Sequence, residues 1–116
     1  MEFAEFQDKC QLYDVQELNE IGPYATVLLM QADVGTLSNK LYNALLDDTG
    51  VITADARNKL AISLSDVLFD LSMTASKIGV TLDQLSALTL RKHDLINQRA
   101  AEDLKLKSSR NPNKNE

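Results

Sequence analysis

The feature that most constrains this chain is the spacing of its apolar residues. From Tyr24 to Leu46, Val27, Met30, Val34, Leu37, Leu41 and Leu45 recur at steps of three and four. That spacing places them on one stripe of an α-helix and is incompatible with the two-residue repeat of a strand. A second such stripe follows in Leu60, Leu64, Val67, Leu68, Leu71, Ala75 and Ile78, and all seven are expected to be buried. Only four glycines and two prolines interrupt 116 residues, and no stretch alternates polar and apolar positions long enough for a half-buried strand.

Start and stop signals divide the chain into four helices. The first covers about residues 2 to 13, with Phe3, Phe6, Cys10 and Tyr13 on one face, and a polar connection with Asn19, Gly22 and Pro23 ends it. Pro23 suits the first turn of the second helix, which runs to about Leu46. Asp47-Asp48-Thr49-Gly50 breaks it, Thr53 can cap the third helix, and Gly79 stops that helix after Ile78. Thr81-Leu82-Asp83-Gln84 has the spacing of a capping box and opens a fourth helix toward Leu104. The expectation is an all-α, four-helix bundle over residues 1–104, followed by a basic, polar, disordered tail over 105–116. Two long amphipathic helices in so short a chain find part of their burial in a second subunit, so a homodimer or a dimer of dimers is expected.

Composition narrows the chemistry. No apolar run reaches the roughly 18 to 20 residues of a membrane span, and the acidic start lacks a secretory pattern, so a cytoplasmic protein without a membrane partner is expected. Single copies of cysteine (Cys10) and histidine (His93) exclude an internal disulfide, a multi-thiolate metal site and most histidine-based designs. Cys10, on an apolar face, reads as a buried inert thiol. Residues 1–90 hold 13 acids and 5 bases, while residues 91–116 hold 4 acids and 7 bases. The basic end lacks interleaved aromatics, so Lys105, Lys107, Arg110 and Lys114 argue for a solubilising tail rather than nucleic-acid binding.

The polar faces of the two long helices carry the candidate chemistry. Ala32, Asp33 and Thr36 lie on one side of the second helix; Ser63, Asp66 and Asp70, at i, i+3 and i+7, form a polar strip about two turns long on the third. Helical bundles build metal sites from such inward-facing residues on neighbouring helices.

Leu29-Met30-Gln31-Ala32-Asp33-Val34-Gly35-Thr36-Leu37 resembles the Glu-Glu-x-x-Glu helix of MazG-type nucleotide pyrophosphohydrolases, with Val-Gly and the following Leu in place. Leu64-Ser65-Asp66-Val67-Leu68-Phe69-Asp70-Leu71 resembles that family's Glu-x-x-Asp helix, and Ala75-Ser76-Lys77-Ile78-Gly79-Val80-Thr81-Leu82-Asp83 its turn into the last helix. Glu5-Phe6-Gln7 and Arg99 extend the resemblance over about residues 1–100. It implies a MazG-like bundle in which carboxylates hold Mg2+ against the phosphates of a nucleoside triphosphate and water releases pyrophosphate.

Residue by residue, however, the implied glutamates of the first motif fall on Ala32, Asp33 and Thr36, and the second motif's Glu and Asp fall on Ser63 and Asp66. Two of five carboxylates remain. Aspartate at 33 also reaches about 1.5 Å less far than glutamate, one carbon–carbon bond. Lys92 is the weak counterpart of the family's nucleotide-binding lysine. The resemblance therefore implies a depleted Mg2+ site, with nucleotide binding or oligomeric interaction and little or no catalysis. The alternative is an active enzyme with Mg2+ on Asp33, Asp66 and Asp70, the ion's remaining ligands coming from phosphate and water. Without the resemblance, Asp66 and Asp70 read as solvated face residues, Thr36 and Ser63 as polar filler, and Lys40, Lys77 and Lys92 as surface lysines.

Overall fold

The computed structural model describes residues 1–13, 22–47 and 50–110. Four helices make up 88% of these residues, and no strand occurs among them. They are α1 (Phe3–Gln11), α2 (Pro23–Asp47), α3 (Ala54–Ile78) and α4 (Leu82–Arg110). Asn19, the Asp48-Thr49 part of the expected break and residues 111–116 of the expected tail lie outside the described residues. No described helix is long and apolar enough to cross a membrane.

The helix ends follow local chemistry. Thr53, in an extended conformation, accepts the Ala56 N–H on its side-chain oxygen at 3.1 Å and so satisfies one of the donors left open in the first turn of α3. Thr53→Ala is expected to cost about 1 kcal/mol, read as a lowered urea midpoint with an unchanged slope. At the other end Gly79 adopts φ 80°, where a side chain would be strained. The Gly79 and Val80 amides then return to the carbonyls of Ser76 (3.2 Å) and Ala75 (2.9 Å). α4 continues through Arg110, six residues past its expected end, so residues 105–110 are helical rather than tail. Lysine and arginine in that last turn suit the negative end of the helix dipole.

The chain divides into two compact units, residues 1–82 and 83–116. In the first, α2 and α3 form an antiparallel hairpin, since contacts advancing along α2 retreat along α3: Thr26 with Thr74, Asp33 with Asp70, Lys40 with Ser63. The facing rows are Thr26, Met30, Asp33, Leu37, Lys40 and Ala44 on α2, and Ala56, Leu60, Ser63, Val67, Asp70 and Thr74 on α3. Every one of these is buried or half-buried. Both rows step 4-3-4-3-4, the spacing of a coiled-coil seam.

This seam is not the expected apolar stripe. Leu64 (54% exposed), Leu68, Leu71 and Ile78 (60%) are open to solvent, while Ser63, Asp70 and Ser72 are buried. Part of the apolar stripe faces outward while polar side chains such as Lys40 and Ser63, or Thr26 and Thr74, pair across the seam, where an isolated polar group could not be buried cheaply; the buried Ser72 hydroxyl, outside the seam row, has no such partner. In α1, likewise, Phe3 is exposed, as is Tyr13 just beyond the helix, and the buried face is Gln7 and Cys10 with Phe6 half-buried. Gln7 clasps the end of α3: its Nε2 donates to Ser76 Oγ (3.1 Å) and to the Val80 carbonyl (2.9 Å), and its Oε1 accepts the Leu82 N–H (3.0 Å). In the second unit, residues 87–110 of α4 are exposed throughout.

Candidate functional site

The seam between α2 and α3 carries three polar layers separated by apolar ones. At one end Thr26 donates to the Pro23 carbonyl (3.0 Å), and the Thr74 hydroxyl lies 2.7 Å from Thr26 Oγ1 and 2.8 Å from the Asp70 carbonyl. One heptad further along α2, the Asp33 and Asp70 carboxyls are hydrogen-bonded to each other. Another heptad on, Lys40 Nζ donates to Ser63 Oγ at 2.9 Å. Met30, Leu37, Val67 and Leu60 fill the layers between, which keeps each polar pair in an apolar surround.

Two carboxyls can hydrogen-bond only if one carries a proton, and Asp70 is the one that keeps it. Its pKa is raised from 3.8 to about 7, first by burial, then by the hydrogen bond to Asp33, then by the negative charges of Asp33 and Asp66. Asp70 is 5% exposed, and its Oδ2 is buried without a hydrogen-bond partner. Asp66 is exposed and acts on Asp70 through its charge.

The remaining sequence candidates distribute as follows. Ala32 and Thr36 are exposed, and the Thr36 hydroxyl turns back to the Ala32 carbonyl at 3.2 Å. Ser63 is 1% exposed, and its hydroxyl accepts from Lys40. Lys92 and His93 are exposed on α4 in the second unit. Lys40, read from sequence as a surface lysine, is half-buried and belongs to the seam. The signal that would have found it is its place in the 4-3-4-3-4 row with Asp33 and Leu37; the eye is drawn instead to the wider apolar stripe. Cys10 is buried, as its apolar face implied.

Lys40 also borders a cleft of about 390 Å3 at the end of the hairpin where α2 leads into α3, shared with Asn43, Asp47, Thr53, Asp55 and Lys59. Lys59 pairs with Asp55 at 3.2 Å on the exposed rim.

The donor set does not fit a resident Mg2+ ion. Among the described residues no group of three or more His, Cys, Asp or Glu side chains is arranged to hold a metal. Burial and the neighbouring Asp33 favour the protonated form of Asp70, and at the position where the resemblance implies a ligating glutamate, Ser63 already meets the Lys40 ammonium. A divalent ion here would displace that proton and stand one heptad from a fixed positive charge. The chain matches no protein-family model, and neither a curated protein nor a solved structure is significantly similar to it.

Proposed function

We propose that this chain is a MazG-like helical protein with a depleted cation site, one that binds nucleotide or assembles with itself and carries out little or no pyrophosphohydrolysis. The observation that carries the reading is the Lys40–Ser63 hydrogen bond, because it puts a protein ammonium where the resemblance calls for an ion-binding glutamate. The Asp33–Asp70 pair supports it, a buried acid and its conjugate base held together by one proton. The cleft beside Lys40 supports the nucleotide part through its size, which is within the range of small-molecule sites, while Asp47 and Asp55 balance the charge of Lys40 and Lys59 on its lining. Mg2+ enters this reading only as a companion of the nucleotide.

The test is thermal unfolding with a panel of NTPs and dNTPs, with and without Mg2+, alongside a pyrophosphate-release assay. At 100 times Kd a nucleotide would stabilise the fold by about 2.7 kcal/mol, a shift of about 10 °C for a domain of this size. The expected result is a nucleotide-dependent shift without sustained pyrophosphate release. Robust release that disappears in Asp66→Ala would overturn the reading in favour of the alternative, an all-aspartate enzyme on Asp33, Asp66 and Asp70. The unpartnered buried Oδ2 of Asp70 is the observation that favours that alternative.

A further inference from the structure

Part of the apolar surface that the seam leaves outside shares one flank, although Leu28, Leu29, Tyr42, Leu46 and Ile62 are exposed on other sides of the two helices. On α2 this flank carries Val27, Val34, Leu41 and Leu45, each the residue directly after a seam residue (Thr26, Asp33, Lys40 and Ala44). On α3, Leu64, Leu68, Leu71 and Ile78 follow Ser63, Val67, Asp70 and Lys77, the last continuing the seam row one heptad beyond Asp70. Each therefore lies about 100° around its helix from the seam, in the same rotational sense. Because the helices run antiparallel, the same sense on both brings the two rows to the same side of the hairpin. They form one two-helix face whose residues are 38% to 60% exposed.

Charge is kept off this face. Between Val27 and Leu45 the charged residues are Asp33 and Lys40, both in the seam. Between Leu64 and Ile78 they are Asp70 and Lys77 in the seam row and Asp66, three residues beyond Ser63 and so on the opposite flank. The face can therefore meet an identical face without like-charge repulsion, which matters for a chain of net charge -5. Its eight aliphatic side chains expose on the order of 600 Å2, at the upper limit of what monomers show as one patch and close to the roughly 800 Å2 per partner of a standard interface. Two rows on antiparallel helices also match themselves under a two-fold axis, as an isologous interface requires.

We infer that a second copy of this chain docks on the face formed by Val27, Val34, Leu41 and Leu45 of α2 with Leu64, Leu68, Leu71 and Ile78 of α3, giving a two-fold dimer whose core is four helices. This deepens the self-association part of the proposed function by naming its surface.

Sedimentation equilibrium or light scattering on the full chain at tens of micromolar tests it. The wild type is expected at about 26 kDa, twice the 12.9 kDa chain. Leu41→Glu with Leu68→Glu is expected to halve that mass while helical circular dichroism persists. Asn39→Glu, which precedes Lys40 and lies on the other flank, is expected to leave it unchanged. A wild-type mass of one chain, or a double variant that keeps the wild-type mass, overturns the inference; the first result would mean that the face is covered within the chain or stays open. If the double variant does not fold, the wild type decides, because a dimer's melting temperature rises with protein concentration and a monomer's does not. A monomeric result would leave a nucleotide-induced shift intact, and a missing nucleotide shift would leave the mass intact, so the two readings fail separately.

Discussion

Asp70→Asn is expected to stabilise the protein above pH 7 and to leave it nearly unchanged below pH 4. The folded-state pKa of about 7 lies above the unfolded value of 3.8. Between those values the native state holds a proton that the unfolded chain has released, so stability falls as pH rises through the interval and is level above it. The contribution is complete below pH 3.8 and lost by about pH 7. At about 1.4 kcal/mol per pH unit, the interval corresponds to on the order of 4 kcal/mol. Asparagine keeps the shape and can donate its amide N–H to Asp33 as the protonated acid does, but it has no charge to desolvate. Urea denaturation at fixed protein concentration across pH 4 to 8 reads the effect. The wild type should lose stability across this range from Asp70, against the usual gain from its other carboxylates, and the variant-minus-wild-type difference should grow with a midpoint inside the interval. A difference that is flat with pH would mean that Asp70 is ionised throughout.

Gln7→Ala should be the most destabilising single change in α1. The Gln7 side chain, 6% exposed, serves three groups at once: the Ser76 hydroxyl, the Val80 carbonyl and the Leu82 N–H. Alanine would leave a buried amide N–H at the first residue of α4 and the Val80 carbonyl without this partner, each at a cost of about 1–3 kcal/mol. A loss of about 3 kcal/mol is expected, read as a lowered urea midpoint with the slope retained. Gln7→Glu separates the two halves of the clasp, since its carboxylate can still accept from Leu82 but cannot donate to Ser76 or Val80. It should fall between wild type and alanine, or below alanine if the added charge is the larger cost. An alanine variant within 0.5 kcal/mol of wild type, the ordinary range for an exposed position, would show that the clasp is dispensable.

Much of the local structure is legible in the sequence because it is decided by neighbours along the chain. Thr53 and Gly79 mark the ends of α3, where a cap oxygen and a left-handed residue are local requirements. Pro23 opens α2 for the same reason. The polar strip of Ser63 and Asp70 was visible at helical spacing, and both are buried on the hairpin's inner side. The end of α4 was misplaced because Lys107, Ser108, Ser109 and Arg110 carry no apolar signal, although basic residues there favour a helical last turn.

Which side of each long helix faces inward was not legible. An amphipathic stripe shows that a helix has an apolar face, and in a single hairpin that face would be expected to form the seam. Here the polar residues are complementary across the seam, threonine to threonine, acid to carboxylate and ammonium to hydroxyl, and each pair is separated in sequence by 23 residues or more. Pairing over such distances depends on the register between two helices, which no local pattern encodes. The sequence by itself therefore determined an all-helical chain, the caps that bound α3 and the aspartates at 33, 66 and 70 on the polar faces of the two long helices. The tertiary structure alone decided that Asp33 meets Asp70 and Lys40 meets Ser63. The reason is that burying an acid or an ammonium becomes tolerable only once a partner from another helix stands within hydrogen-bond reach.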